Sequence, residues 1–589
     1  MTRPSRLLAR VDWRSPITWF VVVVGLIRVV GIGWGLPASD GWDNDGVAPR
    51  DFLPGLLETF RPGHFYTYPP LHLAILAILT LPVTLVALVR AASFAPADLV
   101  AEAIKTPYMT AIAYVARALS LGMSLAIVVF IARTAREIRA HELGTDERDR
   151  RVQLVGGCTA VFAGLNSTLT YYAHTTNLDV PYLFWATWGL LSLVRAITRD
   201  EPRRLRTAFL FAALAVTTKD QAYALFLFSV PGVLAVWLAT NRQRWRSILR
   251  ETAIGVARAL AVVLVIDGVV INPSGFRARV GFLTGSASQD YAEYANDAHG
   301  WWRIVVDGVL RSPVHYPFVL SALVVVGLAR GQRRVLVRWV PLLAAASFTL
   351  AFNFTARRTD ARFYLPQALM LAVDGGIGLA WLVSRHGKLT RPLGQAAAAV
   401  AVATALFRCA AVDANLRGDP RYDTEAWLRQ HVHEGDTIET YGQNVYLPRF
   451  PPGTRTIRVG PDPSAHKNPL PDVEEILAPF DGASQRNARL IVVSTAWVWR
   501  YLLDPAQVRR DERVLPATQK ERLDDERSVH YFERLARGEE PFVRVHESRY
   551  DDRLFPLVDV HGTTTRWVWI FERKADALPA RPPLRDVGR

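Results

Sequence analysis

Cysteine, methionine and lysine are scarce in this chain of 589 residues. It contains two cysteines, Cys158 and Cys409, and four methionines, and only six of its 69 basic residues are lysine. Each cysteine lies inside an apolar run, so the sequence predicts neither a disulfide framework nor a cysteine metal site. The chain also has no Walker sequence and no glycine-rich βαβ fingerprint, which excludes the nucleotide-binding folds that these motifs mark.

Long apolar runs fill the first two thirds of the chain and then stop. Half of the residues are hydrophobic, and the runs are about 18 to 25 residues long, which is the length that crosses ~30 Å of hydrocarbon. A net charge of +15 would favour nucleic acid in a soluble protein. Here the arginines cluster in short segments between the apolar runs, as cytoplasmic loops do. We therefore predict a polytopic α-helical membrane protein that contacts membrane lipids and no nucleic acid.

The arginine-rich segments orient the predicted spans, because basic residues in short loops stay on the cytoplasmic side. The amino-terminal tail and the segment 133–151 are both rich in arginine, so an even number of crossings separates them. Three apolar runs lie between the two. We assign the run 71–92, which carries Pro82 and follows Pro69 and Pro70, to a re-entrant or interfacial helix on the outer face. The alternation then gives about eleven crossings, near 16–36, 107–132, 152–172, 178–197, 206–218, 221–239, 252–271, 314–330, 336–355, 363–384 and 394–412.

This alternation predicts a cytoplasmic amino terminus and an extracytoplasmic carboxyl-terminal region in a bacterial inner membrane. The first run lacks an evident small-residue cleavage site, so we expect a signal anchor. After the last run, "DPRYDTEAWLRQHVHEGDTIETYG" predicts a capped helix over 421–433 and then a strand, and "ARLIVVST" and "TTRWVWIFERK" predict further strands. We predict a membrane domain over 1–413 and a soluble periplasmic α/β domain over 414–589.

Polar side chains gather where the predicted spans reach the outer face. Ionisable groups at membrane depth are costly and usually functional. A solvated loop, a snorkelling lysine and a contact with anionic lipid are the structural alternatives. The residues concerned are Asp40, Asp43 and Asp45 in "SDGWDNDG", His174, Asn177 and Asp179 in "YYAHTTNLDVP", Lys219 and Asp220 in "VTTKDQAY", and Arg357, Arg358, Asp360 and Arg362 in "NFTARRTDARFYLP".

Cations and carboxylates on one membrane face form the two halves of a transfer site. Lysine and arginine can hold a phosphate leaving group while a carboxylate takes the proton of an attacking hydroxyl. Lys219 is notable because it lies between apolar runs rather than in a basic loop. The arginines of the segment 357–362 break the positive-inside pattern, since the alternation puts this segment outside.

Six motifs occur in the order "WDND", "YPPLHLAIL", "ARALSLGMSLAIVVFIAR", "NLDVPYLFWATWGLLSL", "LAVTTKDQAYAL" and "RRTDARFYLP". In this order they resemble the GT-C class of integral membrane glycosyltransferases, specifically the relatives of protein O-mannosyltransferases and of the lipid A aminoarabinose transferase (glycosyltransferase family 39-like). The motifs are spread over most of the range 16–385. The resemblance implies a GT-C fold and a polyprenyl-phosphate sugar as donor.

The resemblance also implies a role for the first outer loop. The acidic pair of the family matches Asp45 and Gly46, so Asp45 would be the catalytic base. Glycine replaces the second acid of the pair. Asp43 can supply the missing carboxylate, and the choice between Asp43 and Asp45 stays open.

The other motifs imply further site residues. The second-loop acid of the family matches Asp179, which with His174 makes a second-loop polar site. The lysine of a "TKG"-like motif matches Lys219, and a late motif matches Arg362. The residues expected to bind the donor phosphate are Lys219, Arg357, Arg358 and Arg362.

We therefore expect an inverting glycosyltransferase, a hexosyl- or pentosyltransferase that moves a sugar from a polyprenyl phosphate to a glycan, lipid or protein acceptor at the outer face. A secondary transporter or flippase of an anionic solute or lipid is the alternative, although its inverted repeats and midplane polar groups are not evident. A receptor acting through residues 414–589 is a third reading. We assign no metal or other cofactor, although the first-loop carboxylates with Asp179 or His174 could hold a divalent cation.

Overall fold

The computed structural model describes residues 15–38, 41–43, 46–285, 289, 292–331, 335–461, 473–502, 526–558, 560 and 567–574. Asp40 and Asp45, two of the acidic residues predicted for the site, lie outside these ranges. The chain divides into two units, Met1–Ala414 with Val558–His561 and Asn415–Leu557 with Gly562–Arg589.

Helices build the first unit in its described residues. Its first ten helices are α1 Pro16–Val29, α2 Phe52–Thr59, α3 Leu71–Arg90, α4 Pro96–Ala103, α5 Thr106–Leu143, α6 Arg150–Gly164, α7 Ser167–Tyr172, α8 Asp179–Thr198, α9 Arg204–Val216 and α10 Tyr223–Phe226. They are followed by α11 Ser229–Thr240, α12 Trp245–Ile266, α13 Pro273–Thr284, α14 Ala298–His315, α15 Phe318–Arg330, α16 Val340–Phe348, the π-helical turn Thr349–Asn353, α17 Phe354–Ala356, α18 Ala361–Val383 and α19 Thr390–Arg417. Single-turn 3₁₀ helices lie at Pro49–Asp51, Asp220–Ala222 and Leu336–Trp339.

Long apolar helices make this a multi-pass membrane protein. Within the described residues, seven helices are long and apolar enough to cross a bilayer, or eight if α14 and α15, which meet at 118°, form one span. Helix α3 is one of the seven, so its length and composition also suit a crossing. The re-entrant position of 71–92 and the count of about eleven crossings therefore stay predictions. The seven stretches are Leu71–Arg90, Thr106–Leu143, Asp179–Thr198, Asp220–Thr240, Leu336–Ala356, Ala361–Val383 and Thr390–His431.

Several predicted spans differ in outline from the helices that form, and two of them show a clear local cause. Helix α5 continues past residue 132 to Leu143, where Gly144 ends it in a left-handed conformation with φ of 60°. The span predicted over 152–172 is broken between α6 and α7, because the side-chain oxygen of Asn166 accepts a hydrogen bond from the backbone N–H of Leu169 (2.8 Å) and starts a new helix.

Ion pairs between helices gather several basic segments at one end of the first unit. Glu137 of α5 accepts hydrogen bonds from Arg195 (2.6 Å) and Arg199 (3.2 Å) near the end of α8. Earlier in both helices, the ring of Phe130 lies 5.1 Å from that of Trp188, so α5 and α8 run in the same direction. Their first residues, Thr106 and Asp179, lie at the opposite end, which we call the Asp179 end.

Helices α15 and α18 approach each other through glycine. A side chain on Gly378 of α18 would overlap the carbonyl oxygen of Leu323, and one on Gly327 of α15 would overlap that of Asp374. The absence of side chains at these glycines lets the two backbones come into contact, as is common between membrane helices.

A six-stranded sheet forms the second unit. Its strands are β1 Thr437–Tyr441, β2 Arg455–Gly460, β3 Val473–Leu477, β4 Leu490–Ser494, β5 Phe542–Arg549 and β6 Trp567–Arg573, in the order β3-β2-β1-β4-β6-β5. Strands β1 to β4 are parallel, and β6 is antiparallel to both of its neighbours. Helices α20 Pro420–His431, α21 Thr495–Leu502 and α22 Glu526–Arg537 accompany the sheet, and Tyr441, Trp497 and Phe532 belong to its aromatic core. The helix predicted over 421–433 and the three strands predicted after it are all present.

Candidate active site

A buried arginine fixes the chain where it leaves α1. The side chain of Arg117, on α5, is almost fully buried, and its Nη1 donates hydrogen bonds to the carbonyl oxygens of Ile32 and Trp34, both at 2.7 Å. The two carbonyls lie beyond Val29, the last residue of α1. Arg117 thereby holds the turn that leads into the first acidic segment.

Asp43 lies against the loop that precedes α8. A Cβ atom at Gly46 would be 3.1 Å from Asp43 Oδ2 and 2.7 Å from Thr176 Oγ1, so both side chains border this glycine. Thr176 Oγ1 donates to the carbonyl oxygen of Val47 at 2.8 Å and ties the two loops together. The buried carboxylate of Asp43 is therefore held at the Asp179 end.

Asp179 and Lys219 form the central contact of the candidate site. Lys219 Nζ donates to Asp179 Oδ1 at 2.7 Å, and Gln221 Nε2 donates to the same oxygen at 2.9 Å and to the Tyr182 hydroxyl at 3.1 Å. The Asp179 side chain is fully buried, whereas that of Lys219 is 17% exposed. The tertiary structure thus joins two predicted site residues from separate loops. Gln221, which sequence reasoning missed, stands only two positions after Lys219 in the same polar motif.

The turn after Lys219 is held by a second arginine that the sequence analysis did not select. Arg279 of α13 is almost fully buried, pairs with Asp220, and places its guanidinium 4.9 Å from the centre of the Tyr66 ring. Burial raises the pKa of Tyr66 to about 12, and its hydroxyl donates to the Asp267 carbonyl at 2.7 Å. The sequence did contain a sign of this residue. Arg277 and Arg279 stand in a segment that the predicted alternation of loops puts outside, where arginine is unexpected.

The three arginines of residues 357–362, the arginine turn, have different surroundings. Arg357 adopts a left-handed backbone with φ of 52°, and its Nη1 donates to the Tyr294 carbonyl at 3.1 Å. The guanidinium groups of Arg358 and Arg362 lie 5.1 Å and 4.6 Å from the centre of the Phe363 ring. Arg357 therefore fastens a neighbouring loop, while Arg358 and Arg362 share one aromatic ring.

The arginine turn lies at the same end of the unit as Lys219. Helix α10 begins four residues after Lys219 and packs against the π-helical turn, with the Tyr223 hydroxyl donating to the Ala351 carbonyl at 3.0 Å. Asn353, the last residue of the π-helical turn, donates from Nδ2 to the Phe363 carbonyl at 3.3 Å. These contacts connect the Lys219 turn to the arginine turn through α10 and the π-helical turn.

His174 and Asp179, the predicted second-loop pair, face different partners. His174 Nε2 lies 3.0 Å from Asp413 Oδ1 on α19, and both side chains are buried. Asp179 instead contacts Lys219 and Gln221. Within the described residues, no group of three histidine, cysteine, aspartate or glutamate side chains is arranged to hold a metal ion.

The arrangement offers the ammonium group of Lys219 to bind an anion and nearby carboxylates to accept a proton. An ammonium group has three N–H donors, and Asp179 takes one of those on Lys219. A phosphate oxygen can share the same ammonium, since charge-assisted hydrogen bonds to phosphate are strong. The buried carboxylate of Asp43 stands on the neighbouring loop, so the two halves of the predicted transfer site lie at one end of the helices.

Comparison with known proteins finds structural likeness but no sequence relative. No protein-family model matches the chain, and no curated protein matches it. Its structure is similar to ArnT from Cupriavidus metallidurans bound to undecaprenyl phosphate, with 14% identity over 96% of this chain and 99% of that chain and a TM-score of 0.47. The apo state of ArnT from the same organism gives 15% identity over 82% and 94% of the two chains and a TM-score of 0.46.

A third similar structure comes from an archaeon. It is the oligosaccharyltransferase AglB from Archaeoglobus fulgidus in complex with an inhibitory peptide and a dolichol-phosphate, with 12% identity over 95% of this chain and 88% of that chain and a TM-score of 0.42. ArnT is a lipid A aminoarabinose transferase, and ArnT and AglB are both GT-C glycosyltransferases, the class that the sequence motifs resemble.

Proposed function

We propose that this protein is an inverting GT-C glycosyltransferase that moves a sugar from a polyprenyl-phosphate donor to an acceptor hydroxyl at the outer face of a bacterial inner membrane. The observation that carries the proposal is the contact of Lys219 with the buried Asp179. It lies at the same end of the helices as Asp43 and the arginine turn. The proposed donor belongs to the class of lipid phosphates named for two of the similar structures.

The proposed reaction is a single displacement. The acceptor oxygen bonds to the anomeric carbon of the sugar, the bond from that carbon to the phosphate oxygen breaks, and the electron pair leaves with the polyprenyl phosphate. A first-loop carboxylate, Asp45 or Asp43, takes the acceptor proton. Lys219, with Arg358 and Arg362, stabilises the negative charge that develops on the departing phosphate. Attack from the face opposite the phosphate inverts the anomeric configuration.

An apolar groove beside the Lys219 turn supports a lipid donor. The groove has a volume of about 540 Å³ and is lined by residues of α8, α9, α10, α11 and α12. Val216 and Tyr223 belong to its lining and flank Lys219 closely in the chain. Leu205, at the far end of α9, belongs to it as well, and at a rise of 1.5 Å per residue this places it ~17 Å from Val216. An isoprenoid tail bound there would bring its phosphate to Lys219.

Replacement of Lys219 tests the proposal. We expect Lys219→Ala to reduce sugar transfer by ~10²- to 10³-fold, because it removes a donor that stabilises the leaving phosphate. Lys219→Arg should restore only part of the rate, since the guanidinium is planar and longer. The measurement is transfer in detergent from purified undecaprenyl-phosphate mannose, glucose and galactose, with a mixture of membrane lipids and glycans as acceptor.

Lys105→Ala is the matched control. Lys105 precedes α5 at the Asp179 end, but its side chain is 59% exposed and pairs with Glu102. We expect this variant to retain the activity of the unaltered protein. Near-normal transfer by Lys219→Ala would contradict the proposed phosphate contact, and specific transport of the lipid phosphate without transfer would favour the alternative function of a transporter or flippase.

A further inference from the structure

Among the buried polar atoms that lack a protein partner in the described part of the chain, two stand at the start of α8. They are Nδ2 of Asn177 and Oδ2 of Asp179. Both residues are fully buried. A buried donor or acceptor that lacks a partner costs ~1–3 kcal/mol, and more when it is charged, so two on the same turn call for a physical reason.

The hydrogen bonds of Asn177 and Asp179 show which of their side-chain atoms are already used. The backbone N–H of Asp179 donates to Asn177 Oδ1 at 2.8 Å, which identifies the oxygen of the amide and leaves Nδ2 as the donor. Lys219 and Gln221 both donate to Oδ1 of Asp179, at 2.7 Å and 2.9 Å. These bonds fasten both side chains and leave, in the described residues, one N–H donor on Asn177 and one carboxylate acceptor on Asp179.

A hydroxyl group satisfies such a pair with a single atom, because its oxygen accepts one hydrogen bond while its proton is donated in another. We infer that Asn177 and Asp179 form a subsite for one hydroxyl of the transferred sugar, with Asn177 Nδ2 donating to it and Asp179 Oδ2 accepting from it. The inference rests on the proposed function, which places the donor phosphate at Lys219.

The position of Lys219 also indicates which hydroxyl of the sugar would bind at this subsite. Oδ1 of the same carboxylate binds Lys219 Nζ, so a group at Oδ2 lies next to the donor phosphate. In a glycosyl phosphate the hydroxyl on C2 is adjacent to the anomeric carbon that carries the phosphate. The subsite therefore recognises the C2 hydroxyl, and the protein discriminates against donors that lack it.

The test compares donors with and without this hydroxyl. For the best substrate among undecaprenyl-phosphate mannose, glucose and galactose, the 2-deoxy analogue should lose about 10- to 100-fold in kcat/KM with the unaltered protein. Asn177→Asp and Asn177→Ala both remove Nδ2. We expect each to lose a similar factor with the 2-hydroxy donor and little more with the 2-deoxy donor, because the two deletions remove the same interaction.

Asn166→Asp is the matched control. Asn166 is equally buried, and its Oδ1 also accepts a backbone N–H, from Leu169 at 2.8 Å, at the start of α7. This variant should keep the discrimination of the unaltered protein between the two donors, even if its thermal stability falls. A general effect of altering a buried asparagine would appear in both positions.

Two failures can be told apart. If the Asn177 variants transfer sugar and still discriminate as the unaltered protein does, the turn holds only water or structure, and the subsite is overturned while the transferase function stands. If the unaltered protein transfers from none of the three donors and undecaprenyl phosphate alone does not raise its melting temperature, the proposed function fails and the subsite falls with it. Stabilisation by undecaprenyl-phosphate sugar beyond that given by undecaprenyl phosphate, lost in the Asn177 variants, supports both.

Discussion

At the scale of single residues, the carboxylates of the Asp179 end have different surroundings. Asp179 is held through Oδ1 by Lys219 and Gln221, which agrees with its proposed role of positioning the lysine and binding the sugar. Asp43 is buried beside Gly46 and Thr176. A general base must lie within hydrogen-bond reach of the proton that it takes, and we propose that a carboxylate of the first loop has this role.

Replacing each aspartate of the first loop by asparagine, which has the same shape, tests which of them is the general base. We expect Asp45→Asn to reduce transfer by ~10²- to 10⁴-fold, the usual cost of losing a general base, and Asp43→Asn to have a smaller effect. Asp40→Asn should remain near the activity of the unaltered protein, because Asp40 stands closest in the chain to the end of the first span. The measurement is the initial rate of sugar transfer, with elution volume on size exclusion as the check of folding. An inactive Asp43→Asn beside an active Asp45→Asn would assign the base to Asp43.

At the scale of elements, helix packing depends on a few positions without side chains. Helices α15 and α18 touch through Gly378 and Gly327, whereas Gly157 of α6 has no atom within 4 Å of the position that its Cβ would take. Helix α18 follows directly on the arginine turn, so its placement also determines where that turn lies. Packing of α18 and geometry of the site are thereby coupled.

Alanine at two glycines tests this packing. Gly378→Ala should destabilise the protein by ~2–3 kcal/mol, because the new methyl group would overlap a backbone carbonyl that cannot move without the helix. Gly157→Ala should be neutral or stabilising by ~1 kcal/mol, since alanine favours the helix. The apparent melting temperature of the purified proteins measures both effects, and an unchanged value for Gly378→Ala would contradict the close approach of α15 and α18.

At the scale of the whole molecule, charge is segregated along the helices. Ion pairs such as Arg206 with Glu251 and Arg195 with Glu137 lie at one end of the first unit, and the candidate site lies at the other. Basic residues in short loops stay in the cytoplasm. The Asp179 end is accordingly proposed to face away from the cytoplasm, where a lipid-linked sugar and its acceptor meet.

Reporter fusions test this orientation. Alkaline phosphatase fused after residue 420 should be active, because its disulfides form outside the cytoplasm. The same reporter fused after residue 145, in the basic segment after α5, should be inactive although expressed. An expressed but inactive fusion at residue 420 would overturn the proposed orientation and with it the outer-face site.

Sequence patterns predicted those features that depend on local chemistry. Apolar runs and arginine clusters indicated a membrane protein, and capping and strand signals located the helix at Pro420–His431 and the strand at Leu490–Ser494. The break at Asn166 was missed, because apolar residues continue on both sides of it and only a buried cap interrupts the helix. The chain's composition could also not determine how many of the runs cross the bilayer.

By itself the sequence determined that the chain is apolar in long runs, where its basic loops lie, and which polar residues stand at the ends of the runs, because each follows from the cost of placing polar and charged groups in hydrocarbon. Only the tertiary structure decided which of these polar residues meet. It pairs Lys219 with Asp179 across 40 positions of sequence and places His174 beside Asp413 instead. Within the described part of the chain, it leaves Nδ2 of Asn177 and Oδ2 of Asp179 without a protein partner. Such pairings depend on the directions of side chains on packed helices, which no spacing along the chain specifies.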